Sequence, residues 1–216
     1  MKALILANGL LDDLAQVRTR VTSWQPPLVI AADGGYRHAA ALALKVDVVI
    51  GDLDSLDRVT RSALEASGTH LEITPAEKDE TDLELALLYA VRQGADPIAV
   101  LGALGGRLDM TLSNMLLLTH PALGTVRVEL WNGTQTAWLI RPPGGEVYGA
   151  VGDTLSLVPL GGDAQGVTTQ GLKYALHDEP LAFGPARGIS NVLTEVTAHV
   201  RLRKGLLLAV HTPGRA

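Results

Sequence analysis

The amino-acid sequence predicts an α/β domain, built as a parallel sheet with helices on both faces, followed by an all-β sandwich domain. Three observations predict it. Strand-like and helix-like stretches alternate about five times up to residue 120, the pattern of a parallel sheet covered by helices. The strand-like runs in that half are short and continuously apolar, as in Leu28-Val29-Ile30-Ala31-Ala32, which suits strands buried on both faces. After Gly124 the chain turns to short segments with β-branched residues and partial alternation, punctuated by Asn132-Gly133, Pro143-Gly144-Gly145, Gly161-Gly162 and Lys204-Gly205. Those pairs are the chemistry of turns. The domain boundary is therefore expected after Gly124, giving 1–124 and 125–216, and the second part has a normal size for a sandwich.

In chain order, residues 2 to 7 read as a buried strand closed by the turn pair Asn8-Gly9. Leu10, Leu14, Val17 and Val21 recur at helical spacing, and Pro26-Pro27 stops that helix. The strand Leu28 to Ala32 runs into Asp33-Gly34-Gly35, and an alanine-rich helix through residue 44 leads to a third strand, Val46 to Ile50. Ser55 predicts the N-cap of a helix reaching about Ala66, closed by Gly68. His70 to Thr74 is the next strand, and a helix from Thr81 carries Leu83, Ala86, Leu87, Ala90 and Val91 on one face until Gly94 breaks it. Ile98 to Leu101 is the fifth strand. The last helix of this half places Leu108, Leu112, Met115 and Leu116 on one stripe and ends before Pro121. In the tail half, Val126 to Leu130, Thr134 to Ile140, Thr154 to Val158 and Asn191 to Arg201 are the expected strands.

Composition removes several function classes. The 216 residues include no cysteine, which excludes a disulfide framework, a thiolate metal site and a cysteine nucleophile, and fits a reducing compartment. A formal net charge of -5 without any Lys/Arg-rich run weighs against nucleic acid or an anionic membrane as partner. The apolar start is too brief for a signal peptide and no stretch is long enough to span a bilayer. A cytoplasmic protein is expected.

The chemistry concentrates in two acidic motifs, Gly51-Asp52-Leu53-Asp54-Ser55 and Lys78-Asp79-Glu80-Thr81-Asp82. Ligands of open parallel sheets sit beyond the carboxyl ends of the strands, and Asp33, Asp52 and Asp54 each follow a predicted strand. Asp79 and Asp82, three apart at a helix start, are expected on one face near the positive end of the helix dipole. Such a cluster repels itself unless a cation relieves it, and hard carboxylate ligands favour magnesium or manganese over zinc. Gly102-Ala103-Leu104-Gly105-Gly106-Arg107-Leu108-Asp109 follows the fifth strand and opens a helix. Its glycines admit a phosphate to backbone amides and Arg107 can grip an oxygen with its fork. No P-loop and no dinucleotide fingerprint is present, so a nucleotide would be held through metal, Arg107 and Lys78. In the β half, Thr168 to Tyr174 and Gly188 to Asn191 are polar, glycine-bearing segments that composition alone reads as turns.

Taken in order, Asp33-Gly34-Gly35, Gly51 to Ser55, Lys78-Asp79 with Thr81-Asp82, Gly105-Gly106-Arg107-Leu108-Asp109, Gly171-Leu172-Lys173 and Ser190-Asn191 resemble the thiamine pyrophosphokinase family. The resemblance implies a Rossmann-like α/β nucleotide domain, a β-sandwich thiamine-binding domain, a homodimer with thiamine sites between subunits, and magnesium. It implies transfer of a diphosphate from ATP to thiamine with release of AMP. It places Asp52, Asp54, Asp79 and Asp82 at the magnesium and triphosphate positions, with Asp33, Lys78 and Arg107 toward ATP. Asp109 falls in the nucleotide and substrate motif, and Tyr174, Ser190 and Asn191 border thiamine. Two departures stand out: Met110 where the family often has His, and Tyr174 where it often has Trp. Positioning and charge neutralisation dominate such a transfer, and either Asp82 or Asp109 is expected to take or orient the hydroxyl proton. The rivals are a pyrophosphokinase for another hydroxymethyl heterocycle, such as a pterin, and a nucleotide-binding module without turnover.

Overall fold

In the computed structural model, which describes residues 1–214, the apolar runs of the first half become strands with almost no exposed surface. β1 (Ala3–Leu6), β2 (Leu28–Ala32), β3 (Val48–Gly51) and β5 (Ile98–Leu101) are buried at every position. With β4 (His70–Ile73) and β6 (Val128–Asn132) they form a sheet in the order β6-β5-β1-β2-β3-β4. Every pairing among them is parallel. Between them lie α1 (Leu14–Trp24), α2 (Tyr36–Leu42), α3 (Arg58–Ala66), α4 (Asp82–Arg92) and α5 (Leu108–Leu117).

Strand order fixes which face each helix covers. From β1 to β4 the chain steps one way across the sheet; at β5 it returns to the other side of β1. Because parallel crossovers are right-handed, reversing the step direction moves the helices to the opposite face. Val17 and Val21 of α1 and Ala39 and Leu42 of α2 accordingly share one core cluster with Leu4, Leu6, Val29, Ala31 and Val49. The buried stripe Leu83, Ala86, Leu87 and Ala90 of α4 packs over β1, β2 and β3 from outside that cluster. The reversal leaves a crevice between β1 and β5, the switch point where doubly wound folds bind ligands.

The first unit runs from Met1 to Gly133 and the second from Thr134 to Ala216. Within the stretch 126–130, which the sequence assigns to the first strand of the β half, Val128 to Leu130 instead pair in parallel with β5 as part of β6. The division thus falls beyond Gly124, because this strand's partner lies in the α/β sheet. In the second unit, β7 (Gln135–Ile140), β9 (Thr154–Pro159), β12 (Asn191–Val192) and β14 (Leu207–Thr212) make one antiparallel sheet. β8 (Gly144–Tyr148), β10 (Ala164–Gln170), β11 (Glu179–Leu181) and β13 (Thr197–Arg201) make the other. Inward residues of both sheets, among them Trp138, Leu155, Val167, Leu181 and Val200, form a single apolar core, the arrangement of a sandwich.

Several local expectations are corrected. Leu10 lies outside α1 and is exposed. Asp57, not Ser55, caps α3, its carboxylate accepting from Thr60 N at 2.7 Å. The stripe Leu108, Leu112 and Leu116 of α5 faces outward, while Asn114 and Leu118 on another side are buried. The stretch 191–201 is two strands, and Gly144-Gly145 begins β8 instead of turning. Among the described residues, no helix is long and apolar enough to cross a membrane.

Candidate active site

β2 delivers Asp33 at its carboxyl end in the left-handed region, with φ 42°. The following glycines lie hard against β1: a Cβ on Gly35 would sit 1.9 Å from the Leu6 carbonyl oxygen. No other residue fits there, so Asp33-Gly34-Gly35 seats the start of α2 directly on the neighbouring strand. The loop after β3 makes an equally tight turn. Leu53 adopts φ 60° and is buried in the core, a conformation that costs about 1–3 kcal/mol outside glycine and persists where packing dictates it. Its burial turns Asp52 and Asp54 to the same side, and Asp54 N donates to Asp52 Oδ1 at 3.1 Å.

One oxygen from each of Asp33, Asp52 and Asp54 lies within 4.8 Å of the others. Repulsion from Asp52 is the main reason the Asp54 carboxyl is pushed above its ordinary range, with smaller contributions from desolvation, Asp33 and Asp82. Ser55 Oγ donates to Asp33 Oδ1 at 2.7 Å and ties the two loops together. Three hard oxygen donors that repel one another in this way fit a divalent cation such as magnesium.

The second acidic motif divides. Thr81 is the N-cap of α4, accepting from Glu84 N at 3.2 Å, so Asp79 lies ahead of the helix and is exposed. Asp79 and Asp82 therefore do not share a helix face. Asp82 occupies the first helical position, beside Gly51, where an added Cβ would be 3.3 Å from Asp82 Cγ. Lys78 Nζ pairs with the buried Asp82 Oδ1 at 2.9 Å. The same ammonium donates to Thr74 Oγ1 at 2.9 Å and to the Pro75 carbonyl at 3.1 Å. All three donors of Lys78 are thus engaged, with Asp82 as the charged partner.

The loop after β5 closes the crevice. Gly102 has φ 67°, and a Cβ there would lie 2.4 Å from the Ala7 carbonyl oxygen; Gly9 N donates to Gly102 O at 2.7 Å. Two polar side chains of α5 hold this loop: Thr111 Oγ1 accepts from Gly105 N at 3.1 Å, and Asn114 Nδ2 donates to Ala103 O at 2.7 Å. Arg107 is exposed and forms a bidentate pair with Asp109, at 3.1 Å and 2.6 Å. Hydrogen bonding from Arg107 is the main cause that holds the Asp109 carboxyl below the usual range. A cleft of about 430 Å³ opens between the loops after β1, β2 and β5 and the first turns of α4 and α5. Asp33, Asp82 and Arg107 lie on its wall together with Leu10, Met110 and Asn114.

In the second unit, Tyr174 is exposed, with Lys173 Nζ 5.4 Å from its ring centroid. Asn191 is buried and holds both backbone polar groups of Tyr174: Oδ1 accepts from Tyr174 N at 3.0 Å, and Nδ2 donates to Tyr174 O at 2.8 Å. Ser190 is exposed in the left-handed region, φ 59°, with its N–H on Ser156 Oγ at 3.0 Å.

The family model for the catalytic domain of thiamin pyrophosphokinase matches residues 21–130, and that for its vitamin B1 binding domain matches residues 143–207. A thiamine pyrophosphokinase of Bacillus subtilis (strain 168) is 31% identical over 215 residues, covering 96% of this chain and 97% of the relative. The chain belongs to the thiamin pyrophosphokinase family. A crystal structure of the thiamine pyrophosphokinase from Bacillus subtilis superposes with a TM-score of 0.85 at 25% identity, covering 99% of both chains. The yeast thiamin pyrophosphokinase structure, at 17% identity and TM-score 0.80 over 97% of this chain and 86% of that one, shares the fold. Each thiamin pyrophosphokinase module lies within one structural unit: 21–130 within the first, 143–207 within the second.

Within this family framework the structure adds residues that motif reading missed. Ser55 does not cap α3, and its bond to Asp33 crosses between loops 22 positions apart in sequence, which no local signal reveals. Thr111 and Asn114 hold the loop from α5, whose apolar stripe Leu108, Leu112 and Leu116 is exposed. A polar pair spaced i, i+3 just after a glycine-rich loop was the signal available.

Proposed function

We propose that this chain is a thiamine diphosphokinase that transfers a diphosphate group from ATP to the hydroxyl of thiamine, giving thiamine diphosphate and AMP. The single observation that carries the reading is the gathering of Asp33, Asp52 and Asp54 beside a cleft that also presents Asp82 and Arg107. Both domain models of the family support it.

Asp33, Asp52 and Asp54 would hold magnesium, which when bound neutralises the polyphosphate and polarises the reacting phosphoryl group. Thiamine's hydroxyl oxygen bonds to the β-phosphorus as the bond from that phosphorus to the α,β-bridging oxygen breaks. The bridging electron pair leaves with AMP, and the hydroxyl proton passes to a carboxylate. Both oxygens of Asp109 are taken up by the Arg107 fork. Asp82, which lines the cleft where Asp109 does not, takes that role here, with Lys78 holding it in place. Arg107 meets phosphate oxygens and Asp109 sets the direction of its fork. Asp79, exposed ahead of α4, stands outside the three clustered carboxylates.

The second unit binds thiamine. Tyr174 offers an exposed aromatic face, suited to a cationic heteroaromatic ring, with Asn191 fixing its backbone and Ser190 alongside. We propose a homodimer, consistent with the outward apolar stripe of α5, and a cytoplasmic site of action, consistent with the absence of cysteine. Offering thiamine and a hydroxymethylpterin as competing acceptors tests the substrate: this reading requires AMP release with thiamine alone.

A further inference from the structure

Charge at the cleft does not balance toward a polyphosphate. The three clustered carboxylates, Asp33, Asp52 and Asp54, outweigh one divalent cation, and every charge that shifts the Asp54 carboxyl is another carboxylate. Lys78 is matched by Asp82, and Arg107 by Asp109. A polyphosphate, itself strongly anionic, would meet a site whose own charges sum to negative. That calls for a cation with no acidic partner, and Arg37 supplies one. Arg37, in the first turn of α2, is exposed. Its Nε donates to the Gly34 carbonyl at 3.2 Å and its Nη2 to Asn8 Oδ1 at 3.2 Å. Both partners are neutral, and among the described residues no carboxylate pairs with the guanidinium and nothing accepts from Nη1. The fork therefore keeps its charge and an open N–H edge for a ligand oxygen. Packing places it as well: a Cβ on Gly34 would lie 2.4 Å from Arg37 Nη2 and 2.7 Å from Asn8 Nδ2. Only glycine lets the guanidinium and the Asn8 amide come this close to the backbone directly after Asp33. Asn8 and Asp33 both line the cleft, so the guanidinium stands at its rim.

We infer that Arg37 binds a phosphoryl oxygen of the nucleotide's polyphosphate, with Asn8 as the positioning residue that orients its fork. The inference rests on the reading that this cleft takes a nucleoside triphosphate. Arg37 offsets the negative charge that the carboxylates leave after the cation is counted, and it acts on the polyphosphate, not on the nucleoside.

Equilibrium binding of ATP, inorganic tripolyphosphate and adenosine to the full chain with magnesium tests this without requiring turnover. Arg37→Met is expected to weaken ATP and tripolyphosphate by the same factor, about 10- to 100-fold, the worth of one hydrogen bond to a charged group, and to leave adenosine within about threefold. Arg37→Lys, which keeps the charge but not the fork, is expected to fall between wild type and Arg37→Met. Unchanged tripolyphosphate binding by a folded Arg37→Met overturns the inference. So does equal weakening of all three ligands, which a purely structural arginine would give. In the wild type, labelling of Arg37 by phenylglyoxal, read by peptide mass spectrometry, should be slowed by ATP or tripolyphosphate with magnesium. Labelling at an unchanged rate overturns the inference even if neither variant folds. Polyphosphate binding that depends on Arg37, with no AMP formed by the wild type in the presence of thiamine, would support Arg37 as a phosphate ligand and count against the transfer reaction.

Discussion

Ser55 donates its hydroxyl to Asp33 Oδ1 at 2.7 Å, joining the loop after β3 to the carboxyl end of β2. Two of the three clustered carboxylates thus come from a loop anchored to the third. Ser55→Ala removes the anchor but no oxygen ligand. The half-saturating magnesium concentration for turnover should rise about 3- to 10-fold, the worth of one ordinary solvent-accessible hydrogen bond, with little change in melting temperature. A magnesium titration of the variant's initial rates checks this.

Asp54 is held above its ordinary range chiefly by Asp52. A carboxyl raised in the folded state favours folding at low pH and opposes it as pH rises through the folded value. Asp54→Asn should therefore melt slightly higher than wild type at neutral pH in EDTA. It should also lose most of the stabilisation that magnesium gives the wild type, and kcat/KM should fall by at least about 100-fold. Paired melting curves with and without magnesium separate the two effects.

Asp82 and Asp109 should respond differently to amidation. Asp82→Asn removes the proposed proton acceptor, and kcat should fall by about 100- to 10,000-fold. Asp109→Asn loosens the Arg107 fork and should raise the KM for ATP about 10-fold while changing kcat less. Steady-state kinetics of both variants decide between them.

In the second unit, buried Asp153 pairs with half-buried His211 at 2.8 Å. Burial alone raises the Asp153 carboxyl; amide donors Gly214 at 2.7 Å and Ala150 at 2.8 Å, with His211, outweigh it and leave it below the usual range. A lowered carboxyl stabilises above its unfolded value, near pH 4, and that stabilisation disappears as pH falls through the folded value. Asp153→Asn should cost about 1–3 kcal/mol at pH 7 and show a flatter loss of stability below about pH 4. Urea unfolding across a pH series measures both.

The sequence made the strands of the first half legible because burial on both faces leaves uninterrupted apolar runs such as Leu28–Ala32. It made Asp33, Asp52 and Asp54 legible because each stands where a run ends. Pairing partners were not legible: Val128–Asn132 looks like any β segment, and only its parallel register with β5 assigns it to the first unit. Nor was the inward face of α5, since periodicity reports spacing but not which side meets protein; Leu108 is 83% exposed. Ser55 misled for a related reason. Its capping preference is real, but Asp57 caps α3 once the left-handed Leu53 has turned the loop. Asp79 was placed beside Asp82 by helix spacing, and the true N-cap, Thr81, removes it from the helix.

The central claim is attack at the β-phosphorus of ATP by thiamine's hydroxyl. Incubating the protein with ATP, magnesium and thiamine and identifying the nucleotide and thiamine products tests it most directly. AMP and thiamine diphosphate in equal amounts are predicted; ADP with thiamine monophosphate, or no product from folded protein, would contradict it.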